Sequence, residues 1–355
     1  MPPPPPRSAI RRKLLRWYRK TKRDLPWRRT GDAYAIWVSE TMLQQTQVST
    51  VIPYFENFLT AFPTVDALAR APLAKVLRLW SGLGYYRRAE NLRSAARQIM
   101  RAHGGRVPSD FDRLRELPGV GDYTAGAIAS IAFGRRYPAI DGNARRVLSR
   151  LLGIMEERSL RAAAADLVPR SRPGDFNQAI MELGATVCTP KHQRCADCAV
   201  NSLCASRASP HAATLRRSRA PAKPTSVVWP LAIVRRDGKI LLRRRSAGGL
   251  LAGLWELPGG EITARASAAK LLRQELAGLD LPLIRHQKLG EIRHAITHRR
   301  IRSPIYVFDL ARKIQMELPK SCWRWIAPAR LHRLAASSMT AKALALLSTY
   351  EKTAD

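Results

Sequence analysis

Cys188, Cys195, Cys198 and Cys204 follow one another as C-x6-C-x2-C-x5-C. Four thiolates on one short loop are enough to close a metal or cluster site, and soft sulfur donors select zinc or iron-sulfur chemistry over hard cations. Structural zinc is one reading, but zinc knuckles usually bring two close pairs, and only Cys195 and Cys198 are that close here. A [4Fe-4S] cluster fits the spacing equally well. Lys191, His192 and Arg194 lie inside the loop and would turn positive charge outward, a shape suited to phosphates. Cys322, beside Trp323 and Trp325, is expected to be a core thiol. Upstream, Leu117-Pro118-Gly119-Val120-Gly121 opens a helical run. Its glycines free the backbone to turn sharply, so that the N–H groups of Gly119, Val120 and Gly121 can approach a phosphate, although an ordinary turn explains them too. Two carboxylates complete the set: Glu40 in WVSETMLQQTQV and Asp141 in AIDGNARRV. Local pattern reads Glu40 as a first-turn glutamate in a helix capped by Ser39, and Asp141 as a helix cap. Neither pattern alone makes its residue catalytic.

The elements that must position these residues change texture along the chain. Apolar residues recur at helical spacing in Thr64–Trp80 and Arg87–Met100, and the small, apolar run from Tyr123 to Phe133 predicts a helix packed closely against its neighbours. Residues 206–225 lack periodicity and read as a linker. Beyond it, Val227–Val234 and Lys239–Arg243 flank Asp237-Gly238, a hairpin signature; Ile305–Leu310 reads as a strand, Ala266–Ala277 and Leu331–Tyr350 as helices. The fold class expected is therefore multidomain, an all-α N-terminal region followed by an α+β domain. The chain of 355 residues is 46% hydrophobic and 25% charged, which excludes general disorder and a small disulfide-stapled module. Sixty-one Lys and Arg against 27 Asp and Glu give a net charge of +34, a self-repulsion that points to a polyanionic partner, nucleic acid first and an anionic membrane second. Residues 7–29 and 206–245 each carry eleven basic residues and one acid. The N-terminus MPPPPPRSAIRRK has no apolar targeting core, and no later stretch approaches the roughly 20 apolar residues of a membrane span, so a soluble, cytoplasmic, nucleoid-associated protein is expected.

SETMLQQTQV, GLGYYRRAENL, LPGVGDYTAGAIASIAFG, AIDGNARRVLSR, NQAIMELGATVC and the four-cysteine loop together closely resemble adenine DNA glycosylases of the MutY type, in the helix-hairpin-helix glycosylase superfamily. The resemblance spans Arg11 to Cys204. Composition sets off a mobile Pro-rich leader over 1–10 and the linker 206–225; the resemblance implies a cluster domain from 11–30 and 135–205, a six-helix barrel with the hairpin over 31–134, and a MutT/Nudix-like domain over 226–351. It implies a [4Fe-4S] cofactor on the four cysteines and, acting as a monomer on double-stranded DNA, excision of adenine mispaired with 8-oxoguanine or guanine. Glu40 would then protonate N7 of the flipped adenine and afterwards activate water, while Asp141 stays ionised beside the electron-poor sugar and Asn143 helps to hold sugar and water. Arg23, Trp27, Arg28 and Glu182 match adenine-pocket positions; Gln45 and Tyr85 match residues that wedge into the base stack. Endonuclease III carries a Schiff-base lysine two places after the hairpin; Tyr123 stands there, which predicts a monofunctional enzyme that leaves an abasic site. A bifunctional endonuclease III-like enzyme is thereby disfavoured, and a non-catalytic iron-sulfur DNA-binding protein would have no use for Glu40 and Asp141 together.

GLLAGLWELPGGEI resembles the strand and loop of the MutT/Nudix-like domain these glycosylases carry. Aligning the Nudix box on Gly260 puts Ala266, Glu275, Gly278 and Leu279 at its four carboxylate positions and Gln274 at its arginine. One carboxylate of four remains, too few oxygen donors for a hard divalent cation, so pyrophosphate hydrolysis is not expected. The domain is expected to recognise 8-oxoguanine instead. Where the family's recognition loop reads Phe-Ser-His, this chain has Ile296-Thr297-His298, keeping with Thr297 a hydroxyl and with His298 a donor.

Overall fold

The computed structural model describes residues 6–208, 224–246, 251–262, 267–277, 279, 281, 283–296, 298–310, 318–319 and 322–354. The chain divides into two compact units, residues 1–71 with 90–220 and residues 72–89 with 221–355. In chain order the helices of the first half are α1 (Arg7–Thr21), α2 (Ala33–Leu43), α3 (Val48–Ala61), α4 (Val65–Arg70), α5 (Leu73–Trp80), α6 (Arg87–Ala102), α7 (Phe111–Arg115), α8 (Asp122–Ile131), α9 (Gly142–Leu152), α10 (Glu157–Leu167), α11 (Pro173–Thr186) and α12 (Ala205–Ala208). None of the described helices is long and apolar enough to cross a membrane.

In the first unit, α1 buries Ile10, Leu14 and Tyr18, spaced four apart, against Leu148, Leu151, Phe176 and Leu183 of α9 and α11. The helix begins at Arg7, so Arg7–Ile10 belong to the fold rather than to the leader, because Ile10 is fully buried. Cys188, Cys198 and Cys204 lean on the same cluster. The α2 helix is buried on all sides from Tyr34 to Met42, the pattern of a helix in the middle of a bundle. Its cap is Asp32, which accepts from the N–H groups of Tyr34 and Ala35 at 3.1 and 3.2 Å. Ser39 is therefore not the cap: it lies inside the helix, its hydroxyl turned back on the carbonyl of Ile36 at 2.8 Å. The single helix expected over Thr64–Trp80 is two, α4 and α5, because Pro72 has no N–H to continue the ladder.

The second unit is built on a mixed sheet of β1 (Thr225–Val228), β2 (Leu231–Arg236), β3 (Lys239–Arg244), β4 (Trp255–Glu256), β5 (Leu283–Ile296), β6 (Arg299–Leu310) and β7 (Trp323–Ile326), with α13 (Ala268–Ala277) and α14 (Ser338–Ala354). The path runs β1-β6-β2-β3-β4; β5 adds to the other edge of β6 and β7 pairs with β3. β6 is parallel to β1 and β2 and antiparallel to β5. Asp237 and Gly238, at φ 47° and 68°, make the two-residue turn between β2 and β3 that their identities predict. One sheet face packs Ile233, Ile301 and Ile305 against Ala343 and Leu347 of α14; the other packs Val234, Leu241 and Phe308 against Leu272 and Leu276 of α13. Residues 72–89 group here, with the Ser81 hydroxyl donating to the carbonyl of Ala336 at 3.0 Å. The helix expected from Leu331 starts at Ser338, preceded by a 3-10 turn over Pro328–Arg333. Cys322 is partly exposed rather than a core thiol.

Candidate active site

Glu40 lies in the last turn of α2, not the first, and a helix surrounded by apolar side chains leaves it 5% exposed. Burial disfavours a charged carboxylate, and it pushes Glu40 from 4.5 up to about 7; the negative charge of Asp141 adds to the rise. A hydrogen bond donated by the Tyr123 hydroxyl to Oε2 and the positive charge of Arg28 oppose it. Tyr123 occupies the first turn of α8, and burial together with the charges of Glu40 and Asp141 raises its own pKa well above 10, so it remains a donor.

Asp141 caps α9, its Oδ1 accepting from the Ala144 N–H at 2.6 Å, while Asn143 Nδ2 donates to Oδ2 at 3.3 Å. Burial raises its pKa also, but both bonds and the nearby Arg146 charge work the other way. The cap that local pattern predicts is thus the same residue that faces the second carboxylate. Arg146, which sequence reasoning passed over, ties the arrangement down: Nη2 donates to Asn143 Oδ1 and to the Gly184 carbonyl at 2.7 Å each, and Nε donates to the Cys188 carbonyl at 2.9 Å. One turn on, Arg150 Nη1 donates to Cys188 Sγ at 3.2 Å. Their spacing on α9, four apart after the Asp141 cap, was the available signal. The approach of α11 to α9 needs Gly184, since a Cβ there would stand 2.7 Å from Cβ of Asn143.

The opposite wall is an ion-pair cage. Arg23 grips Glu182 with Nε and Nη2 at 2.8 and 2.9 Å, and Arg28 Nη2 adds a third bond at 2.8 Å. Burial opposes the charge on Glu182, yet these guanidinium bonds hold it down at about 2. Trp27 is buried and meets Phe55 edge-on, ring centroids 5.5 Å apart. Arg23, Trp27, Arg28, Glu40, Gln45, Tyr123, Asp141, Asn143 and Glu182 all line one cavity of about 800 Å3 within the first unit. That is the size class of a small-molecule or nucleoside pocket. Met181, also on its wall, accepts from the Tyr123 hydroxyl at 3.5 Å. Gln45, just past α2, holds φ at 59°. Tyr85, in the second unit, holds φ at 46°, is 39% exposed, and carries the Arg88 guanidinium 5.4 Å over its ring. Neither is an ordinary helix residue: both occupy the left-handed region, where a non-glycine backbone is strained.

Between α7 and α8, Gly119 turns at φ 79° and the chain closes through Val120 N–H to the Leu117 carbonyl at 3.0 Å. Val120 thus uses its donor inside the turn, so the phosphate-gripping expectation rests on Gly119 and Gly121. Cys188, Cys195, Cys198 and Cys204 line one small apolar cavity. Burial and the charges of the other three push Cys198 up to about 11. Among the described residues no three His, Cys, Asp or Glu side chains converge closely enough for a single ion.

In the second unit the surviving Nudix glutamate is occupied. Arg243 bonds Glu275, and also reaches Glu256 at 2.8 Å, which Arg245 meets at 2.8 Å as well. The cavity there, of about 520 Å3, is lined by Arg243, Arg245 and Arg299 together with Glu261 and Glu275, and each of the two carboxylates is bonded to an arginine. Ile296 pairs with Arg299, and His298 lies between β5 and β6. His298 is exposed and its carbonyl accepts from Thr225 N–H at 2.8 Å; Thr297 lies outside the described residues.

The two parts of the chain match two known families, the first of them a base-excision DNA repair family. Residues 38–170 match the HhH-GPD superfamily base excision DNA repair protein family, and residues 230–346 match the NUDIX domain. The chain is 38% identical to the human adenine DNA glycosylase over 94% of its own length and 73% of that protein's, and 39% identical to the mouse adenine DNA glycosylase over 90% and 74%. A thermostable thymine-DNA glycosylase structure superimposes with a TM-score of 0.54 at 29% identity, covering 57% of this chain and 96% of that one. The chain belongs to the adenine DNA glycosylase family.

Proposed function

We propose that the chain removes adenine from duplex DNA where it is mispaired with 8-oxoguanine or guanine, cutting only the glycosidic bond. The observation that carries this is one cavity lined by two carboxyl groups with different surroundings: Glu40, pushed by burial to about 7 and able to carry a proton at neutral pH, and Asp141, also raised by burial but opposed by the bonds from Ala144 and Asn143 and the charge of Arg146. Adenine leaves as a neutral base only if a ring nitrogen is protonated. Glu40 gives its proton to N7 as the C1′–N9 bond breaks, and the bonding pair goes to the base. The cationic sugar is met by the Asp141 carboxylate; water then adds to C1′ and its proton returns to Glu40. Tyr123 donates to Glu40 Oε2 throughout, aiming the acid. Arg23, Trp27, Arg28 and Glu182 hold a flipped base, whose extrusion from the stack the reaction requires. Gln45, on the wall of the same cavity, fills the gap it leaves.

The four cysteines line one small cavity and supply the four thiolates that a [4Fe-4S] cluster takes. When bound, it would cross-link the loop from Cys188 to Cys204. Thr297 and His298 read 8-oxoguanine, and the Nudix cleft has no hydrolytic role.

The test is a single-turnover assay on a duplex with A opposite 8-oxoguanine. Excision by the wild type, with Glu40→Gln binding but not cutting, supports the assignment; undiminished cutting by Glu40→Gln removes Glu40 from the acid role. Efficient borohydride trapping of a covalent DNA adduct would overturn the monofunctional reading. Thr297→Ala with His298→Ala should narrow the preference for 8-oxoguanine over guanine.

A further inference from the structure

At their hairpin end, β5 and β6 place Arg293 directly opposite Arg302 and Ala295 opposite Arg300. Cross-strand partners share a sheet face with side chains roughly 5 Å apart, so the three guanidinium groups stand on one side of the hairpin. All three arginines are exposed. Like charges directly opposite one another weaken a hairpin. The only nearby acid on that face among the described residues is Glu291, 3.7 Å from Arg302 Nε. Arg293 and Arg300 have no acidic partner among the described residues.

The exposure is specific to this end. Farther along β6 the sheet is covered, where Phe308 packs against Leu272 and Leu276 of α13. The arginines stand beyond that cover. Beside them stand Ala295 and, on β1, Ser226 in register with Arg300 and Val228 in register with Arg302. Three exposed guanidinium groups on one side of a hairpin match a row of phosphates.

We propose that Arg293, Arg300 and Arg302 bind the sugar-phosphate backbone of duplex DNA beside the β5–β6 turn. The proposal rests on the reading of that turn as the 8-oxoguanine sensor, and goes beyond it by assigning the residues that hold the strand while the turn reads the base. Binding of the full-length protein is measured from 50 to 200 mM salt, on an undamaged duplex and on one with A opposite 8-oxoguanine. Each neutralised phosphate contributes about −0.9 to the log–log salt slope. Arg293→Gln with Arg302→Gln should flatten the slope by about 1.8 on both duplexes, making the loss of affinity across that salt range about twelvefold smaller. Arg293→Lys with Arg302→Lys keeps both charges and should keep the slope. An unchanged slope in the glutamine pair, a change confined to the damaged duplex, or an equal loss in the lysine pair would overturn the proposal. The turn is tested separately: Thr297→Ala with His298→Ala should change the ratio of the two affinities and leave the slope alone, so its failure is not confused with that of the arginines.

Discussion

Replacing Glu40 by Gln should separate catalysis from stability, with opposite signs. Glu40 rises from an ordinary 4.5 to about 7 mainly because it is buried, and each pKa unit is worth about 1.36 kcal/mol, so holding the ionised form inside the fold costs about 3 kcal/mol. The sign follows from the raised value. Below pH 4.5 the group is protonated folded and unfolded, and its contribution is fully present; between 4.5 and 7 the unfolded chain ionises first, and stability falls until the folded group ionises too. Glutamine has the same shape, stays neutral, and escapes this loss. Near pH 5 the variant and wild type should melt within a degree or two of each other, whereas at pH 8.5 the variant should be the more stable by up to about 3 kcal/mol, several degrees in midpoint for a unit of this size. Excision by the same variant should fall by about two to four orders of magnitude, the usual contribution of a positioned acid. The assays are calorimetric melts at the two pH values and single-turnover kinetics. A stability difference that does not change with pH, or one that favours the wild type as pH rises, would refute the burial of an acid at this position.

Tyr123→Phe removes the donor that favours ionised Glu40, so the alkaline limb of the excision profile should move to higher pH, read from single-turnover rates between pH 5 and 9. Glu182→Gln leaves Arg28 buried with a lost countercharge and should lower stability by about 3 kcal/mol, measured by melting; because Glu182 is held at about 2, the wild-type advantage should persist down to pH 4.5 and vanish as pH falls through 2. Gly184→Ala sets a methyl 2.7 Å from Cβ of Asn143 and should cost about 1–3 kcal/mol while slowing excision more than it weakens DNA binding. Arg146→Met breaks the bonds to Asn143, Gly184 and Cys188 and should likewise reduce the single-turnover rate with the salt slope of binding unchanged.

Much of the architecture is written locally. The Asp237-Gly238 turn, the helix after the hairpin glycines, the Asp141 cap and the change from helical to strand texture all follow from interactions within a few residues. The four closely spaced cysteines likewise end up lining one small cavity. Local rules misled where burial overrode them: Ser39 looks like a cap, but Asp32 takes that role and puts Glu40 in the last turn of a helix with no wet side.

What the sequence determined by itself is the inventory: which side chains can donate, accept, ligate or turn, and which short segments carry them. Only the tertiary structure decided their states. Residues 40, 123 and 141 come from three helices, and the depth of their shared cavity is a property of everything packed around it. A carboxyl group takes its pKa from the water removed and the charges brought near, and those quantities depend on contacts between residues about a hundred positions apart. The same holds for Arg146 and for the facing arginines of β5 and β6, whose roles exist only once distant segments are in register.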